Sequence, residues 1–209
     1  MPVNNTDVLM LSILTPTIPK RSDQFIELCA QIRNQIEYCK EVHPTLGSVE
    51  HIFYLSKPVV DGGHSIGEKR QALLEKAKGK YLCFLDDDDL VAPNYIEVLL
   101  RLCNEDRDVC TFRNFSKFDN YWCVVDMDIN NDNQQTDPND IIERKAWHIC
   151  PVRSEFAKLY GFEDSNYGED WVWFEKVLEH CKTQAKTNVV IHCYQHSSKT
   201  SEADKIIHG

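Results

Sequence analysis

The sequence is short of positive charge. Only 23 Lys and Arg stand against 33 Asp and Glu, a net charge of -10. A nucleic-acid binder needs a basic face to neutralise phosphates, so nucleic acid is not expected as a partner. A phosphate ligand stays compatible, because a bound cation can supply positive charge locally. Long apolar runs are also missing: none approaches the roughly 18 residues that a membrane span requires. The first apolar stretch, Val8 to Leu14, follows Asn4, Asn5 and Asp7 with no basic flank. It reads as a strand and not as a secretory signal. Nine cysteines are present, an odd number, and no two stand in C-x-x-C spacing. That argues against a disulfide framework or a zinc site and points to a reducing, cytoplasmic compartment. There is no internal repeat and no linker that would divide the chain.

What is present suits one domain over residues 1–209, large enough to bury a substantial core. The first half alternates strand and helix patterns. After Val8 to Leu14 comes Thr15-Pro16-Thr17-Ile18-Pro19, then an amphipathic helix from Ser22 or Asp23 with Phe25, Leu28, Ile32, Ile36 and Cys39 on one face. His51 to Leu55 is a second strand. Ser65 and Glu68 form a capping box that starts a helix to about Lys78, with Gly79 expected as a left-handed C-cap. Tyr81 to Leu85 is a wholly apolar strand that ends in Asp86, Asp87, Asp88 and Asp89, and Pro93 opens another helix through about Cys103. This order implies an α/β domain with a mostly parallel central sheet and helices on both faces, and ligands beyond the carboxyl ends of its strands. Later strands are expected at Val109 to Phe115, Tyr121 to Met127 and Asn188 to Tyr194, with a polar loop from Asp128 to Asp140 and a helix from Trp171 to Cys181.

Four consecutive carboxylates after a buried strand are costly. Two like charges about 4 Å apart repel by roughly 4 kcal/mol at an effective dielectric of 20. A solvated acidic turn is the plain explanation. A divalent cation is the other, and hard oxygen ligands suit Mg²⁺ or Mn²⁺.

The stretch from Gly67 to Asp89, GEKRQALLEKAKGKYLCFLDDDD, resembles the donor-site signature of family 2 glycosyltransferases of GT-A (Rossmann-like) fold. Arg70 stands at the arginine of that signature, Gln71 replaces its asparagine, Ala77-Lys78-Gly79 forms its turn, and Leu85 to Asp89 is its acidic, DXD-type motif. Ser12 to Thr17 is similar to the family's first strand, Gly168-Glu169-Asp170 to its acceptor-side segment, and Tyr194 to Ser198 to its late histidine segment. The length and four-aspartate form also resemble a glycosyltransferase domain of a large algal virus.

The resemblance implies a metal-dependent transferase with a donor half at 1–105 and an acceptor half at 106–209. Its donor would be a nucleotide-sugar, preferably a UDP-sugar, and its acceptor a hydroxyl on a glycan. Thr15, Pro16, Thr17, Arg70, Asp86 and Asp87 would bind the donor. Asp88 and His196 would hold Mn²⁺ or Mg²⁺, with Asp87 and Asp89 the working pair if the frame slips by one and His192 the fallback histidine. Asp170 would act as general base, its pKa raised by nearby Trp171 and Trp173, with Glu169 beside it. Helix-dipole stabilisation alone would also explain two acids at a helix start. The second strand departs from the family, ending in Leu55-Ser56-Lys57-Pro58 where an acidic base-holding segment is usual. Two alternatives are a haloacid-dehalogenase-like phosphatase, which also uses an apolar strand followed by Asp-x-Asp, and a non-catalytic module that binds metal or sugar nucleotide.

Overall fold

A computed structural model describes residues 8–119, 121–132 and 141–195. The apolar sequence of β1 (Leu9–Thr17) is buried almost throughout, as a central strand requires. It lies parallel to β2 (Ser48–Leu55) on one side and to β3 (Tyr81–Phe84) on the other. The crossovers are α1 (Ser22–Val42) and α2 (Ile66–Lys76). α1 buries Leu28, Ile32 and Cys39, three residues of the stripe legible in the sequence. α2 begins with the full capping box: the Glu68 N–H donates to Ser65 Oγ at 3.0 Å, and the Ser65 N–H donates to Glu68 Oε2 at 2.9 Å.

Gly79 has a different purpose from the one expected. It is not left-handed; the glycines with positive φ among the described residues are Gly47, Gly62 and Gly168. A Cβ on Gly79 would sit 2.6 Å from the Ser12 nitrogen and 2.7 Å from the Tyr81 oxygen, so the residue is small because β1 and β3 close on it. α2 itself ends earlier, at Lys76.

After β3 the chain makes a tight turn through the aspartates into the short β4 (Leu90–Val91) and then α3 (Tyr95–Asn104), two residues beyond Pro93. The remaining strands are β5 (Val109–Lys117), β6 (Trp122–Met127), β7 (Ile142–Arg144), β8 (Val152–Arg153) and β9 (Gln184–Gln195). Between β8 and β9 lie α4 (Ser154–Ala157) and α5 (Glu169–Leu178). The nine strands among the described residues form one sheet in the order β2-β1-β3-β8-β5-β6-β7, with β9 pairing to β5 and β4. Its first part is parallel. The later part is mixed, because β8 runs antiparallel to both β3 and β5, and β6 forms an antiparallel hairpin with β5.

Two features bring the far end of the chain to the acidic turn. β9 pairs with β4, setting Leu90 opposite Cys193 and Val91 opposite His192. The approach to α5 packs on the start of α2, where the Gly67 N–H donates to the Ser165 carbonyl at 3.0 Å. A Cβ on Gly67 would fall 1.9 Å from the Glu163 oxygen, so only glycine admits this contact. Gln71, at the family's asparagine position, accepts the Phe162 N–H at 2.9 Å and ties the same segment to α2.

All nine cysteines are free thiols. Among the described residues no helix is long and apolar enough to cross a membrane. Residues 133–140 of the expected polar loop lie outside the described residues.

Candidate active site

The four aspartates do not act as one cluster. Asp86 turns inward to Arg70, whose Nη2 donates to its two oxygens at 3.0 and 3.3 Å. Arg70 Nε donates to Glu169 Oε1 at 3.0 Å, and the guanidinium lies 5.0 Å from the centre of the Phe84 ring. This arginine is only 3% exposed. Its fork joins the end of β3 to the start of α5. Its Nη1 is buried and has no hydrogen-bond partner among the described residues.

Asp170, the next residue on α5, meets the same group from the other side. Its Oδ2 lies 2.8 Å from His148 Nδ1 and accepts from Trp147 Nε1 at 3.3 Å, while its Oδ1 accepts the Trp171 N–H at 2.8 Å. His148 Nε2 is 3.8 Å from Asp86 Oδ2. The carboxylates of Asp86, Glu169 and Asp170 are thus gathered around two cationic groups.

Their protonation follows from this packing. Burial favours the neutral acid, but the Arg70 guanidinium and then His148 hold Asp86 well below the usual carboxylate range. Asp170 is likewise held low against burial, first by His148 and then by Arg70. Burial thus pushes Asp170 up in the direction the sequence suggests, but His148 and then Arg70 outweigh it. Burial works against a charged His148, yet the Asp170 carboxylate overrides it and pushes His148 up to about 9. Glu169 is raised by burial, with Arg70 opposing.

Asp87 and Asp88 face a second arginine. Arg21, in the turn after β1, places Nη1 2.8 Å from Asp87 Oδ1 and 3.0 Å from Asp88 Oδ2. Thr17 Oγ1 donates to Asp87 Oδ2 at 2.8 Å. Asp87 is buried, whereas the Asp88 side chain keeps 29% of its surface. Burial pushes Asp88 up to about 7; Arg21 opposes this, and Asp86, Asp89 and Asp87 add to it. Asp89 leaves the group altogether: its Oδ2 lies 3.0 Å from His192 Nε2, and His192 Nδ1 lies 2.7 Å from Asn114 Oδ1. His192 is thereby committed to a buried contact.

Of the other residues expected to bind the donor, Thr15 is fully buried with Oγ1 2.9 Å from His51 Nε2, and Pro16 is buried in β1. His196 lies outside the described residues; the strand before it ends at Gln195, whose Nε2 donates to the Asp88 carbonyl at 3.2 Å. Trp173 is core, stacked on Phe162, while Trp147 and Trp171 pack edge-on beside Asp170. A cleft of about 620 Å³ opens beyond the carboxyl ends of β1 and β2, lined by Ile18, Pro19, Lys20, Lys57, Pro58, Val60 and Asp61. It adjoins Arg21.

Among the described residues no three His, Cys, Asp or Glu groups converge as a ready metal site. Mg²⁺ and Mn²⁺ do not need one, since one or two carboxylates plus substrate phosphates commonly hold them. Asp88 fits that part: it is a hard-oxygen donor, partly open, and incompletely neutralised by Arg21.

Arg21 and His148 carried no signal in the sequence. Each stands in no motif, and each gains its partners only through folding.

The strand order, the buried acidic strand end and the acids at the start of α5 define a GT-A, Rossmann-like domain. The crystal structure of S. aureus TarS 1–349 superposes with a TM-score of 0.61 at 14% identity, covering 89% of this chain and 60% of that one. Its complex with UDP gives 0.59 at 14% identity (91% and 61%), and its complex with UDP-GlcNAc gives 0.55 at 13% (90% and 58%). The sequence matches the Glycosyl transferase family 2 profile over residues 37–168, and the chain belongs to that family. EpsH of Bacillus subtilis (strain 168), a glycosyltransferase by assignment, is 27% identical over 73 residues, which is 35% of this chain and 21% of EpsH. The chain therefore spans about a fifth of that relative and about three fifths of the TarS fragment. The family match sets aside the phosphatase alternative. Resemblance to a viral domain rests on length and the aspartate run alone, and the relatives named here are bacterial.

Proposed function

We propose that the chain transfers a sugar from a nucleotide-sugar, a UDP-sugar by preference, to a hydroxyl on a glycan acceptor with the help of a divalent cation. The observation that carries this reading is the meeting of the acidic end of β3 with Glu169 and Asp170 at the start of α5, through Arg70 and His148. Donor-side and acceptor-side acids thus share one site. The complexes of TarS with UDP and UDP-GlcNAc support the donor class.

Asp88 would hold Mn²⁺ or Mg²⁺, which supplies Lewis-acid stabilisation to a departing diphosphate when bound. Thr17 and Asp87 hold one another and so fix the end of β1 against the acidic turn. The cleft between Lys20 and Lys57 is the space for the nucleotide, and its two lysines replace the acidic base-holding segment usual in the family. Asp170 is the general base. His148 and Arg70 hold it ionised, which also makes it a weak base; with 18% of its side chain exposed it is the more open acid of the pair, and it would take the acceptor proton as the leaving group departs. Glu169, buried and bonded to Arg70, would position the arginine beside it.

UDP release from a panel of UDP-sugars, with Mn²⁺ or with chelator, tests the reading. Mn²⁺-dependent release that falls at least about a hundredfold in Asp170→Asn is expected for loss of a general base. Binding of UDP-sugars without release would favour the non-catalytic module.

A further inference from the structure

His148 stands at the centre of the site, yet no motif marks it. Its backbone carbonyl accepts the Phe84 N–H at 2.9 Å, which pins the residue beside the end of β3. The ring is 6% exposed and packs edge-on against Phe84 and Trp147, at 6.5 and 5.8 Å between centroids. Its nitrogens lie close to two carboxylates from distant parts of the chain: Nδ1 is 2.8 Å from Asp170 Oδ2, and Nε2 is 3.8 Å from Asp86 Oδ2. Neither contact has the alignment of a proper hydrogen bond. What joins the three groups is therefore charge more than directed bonding.

The charge count around the ring explains why. Asp86, Glu169 and Asp170 present three carboxylates, and Arg70 offers one compensating cation. Buried acids without a matching cation are expensive, so a second positive group is needed. His148 is the group in place to supply it. Burial of both nitrogens against carboxylates also removes the ring from direct contact with an acceptor hydroxyl, so it is not the base.

We propose that His148 is a positioning residue for sugar transfer: its imidazolium spans the acid that ends β3 and the acid that opens α5, and fixes the Asp170 carboxylate in the acceptor site. The inference rests on the transfer reading above and assigns no chemistry to His148 itself; the acceptor proton goes to Asp170. When Asp170 becomes neutral on taking that proton, His148 keeps its own proton and its contact with Asp86.

Two readouts test it. NMR titration of ¹⁵N-labelled histidine in the intact chain, with the His148 signal assigned from His148→Gln, does not depend on turnover. The ring is expected to stay protonated through pH 7 and to lose its proton about two pH units lower in Asp170→Asn than in the native chain. In steady-state assays His148→Gln is expected to lower kcat by about ten- to a hundredfold with donor KM within about threefold, and to move the acid limb of the kcat–pH profile upward. Loss of the imidazolium raises Asp170, whereas a merely structural role would leave the profile in place. A neutral His148 at pH 7, or a Gln variant with native kcat and pH profile, overturns the proposal. If the native chain transfers no sugar, the transfer reading fails, and the titration alone still decides whether the charge bridge exists.

Discussion

Arg70 and Arg21 divide the run of four aspartates between them, yet they sit in opposite environments. Arg70 comes from the middle of a capped helix, is nearly sealed, and binds acids from two separate elements over an aromatic face. Arg21 comes from a turn, keeps 23% of its side-chain surface, and binds two neighbouring acids. The first arrangement is scaffold: it joins β3, α2 and α5, and breaking it strands buried charge. On the proposed function the second is exchangeable, since a divalent cation would take its place on Asp88. On that reading a single acidic motif would both hold the site together and receive a ligand.

Removing each arginine sharpens that contrast. Arg70→Met leaves Asp86 and Glu169 without their shared cation and is expected to cost about 3–5 kcal/mol in urea denaturation. The double variant Arg70→Met, Glu169→Leu should lose less than the single one, because one stranded charge has gone with the arginine. A loss under about 1 kcal/mol for Arg70→Met would erase the distinction. Arg21→Gln should cost only about 1–2 kcal/mol, between an exposed and a buried pair. It should also tighten Mn²⁺ binding severalfold by calorimetry, since Asp88 loses its internal competitor. Weaker Mn²⁺ binding in that variant would make Arg21 part of the site's support.

The inner cluster also predicts a stability window. His148 is raised to about 9 from the ordinary value near 6.5, so its contribution is fully present below about pH 6.5 and is lost as pH rises through about 9. Asp170 is depressed, so its contribution is present above about pH 4 and is lost as the solution is made more acidic. Thermal denaturation should therefore show Tm falling by on the order of a few degrees between pH 7 and pH 9.5, with a smaller fall in His148→Gln. The smallest effect is expected at the cap that holds Arg70's helix: Ser65→Ala should cost about 1 kcal/mol.

The first half of the fold is readable because its signals are local. The apolar run of β1, the α1 stripe and the Ser65–Glu68 box each specify their element within a few residues. Gly79 was recognised as special for the wrong reason, since crowding by two strands leaves no trace in a helix-end pattern. The later half was harder. β4, β7 and β8 have two or three residues each, too few to show a period, and they exist through pairing with distant strands. The site divides in the same way. Asp86 to Asp89 and Glu169-Asp170 announced themselves as clustered acids at element ends. Arg70's inward turn, the departure of Asp89 to His192, and the parts of Arg21 and His148 depend on contacts across 16 to 103 positions of sequence, which motif reading does not reach.

The central claim is that the open carboxylate of Asp88 receives a cation together with a nucleoside diphosphate. Thermal unfolding of the native chain and of Asp88→Ala, each with UDP and Mn²⁺ alone and combined, tests it most directly. The account predicts a combined shift in the native chain larger than the sum of the separate ones, and its disappearance in the variant. Equal shifts in both proteins would contradict it.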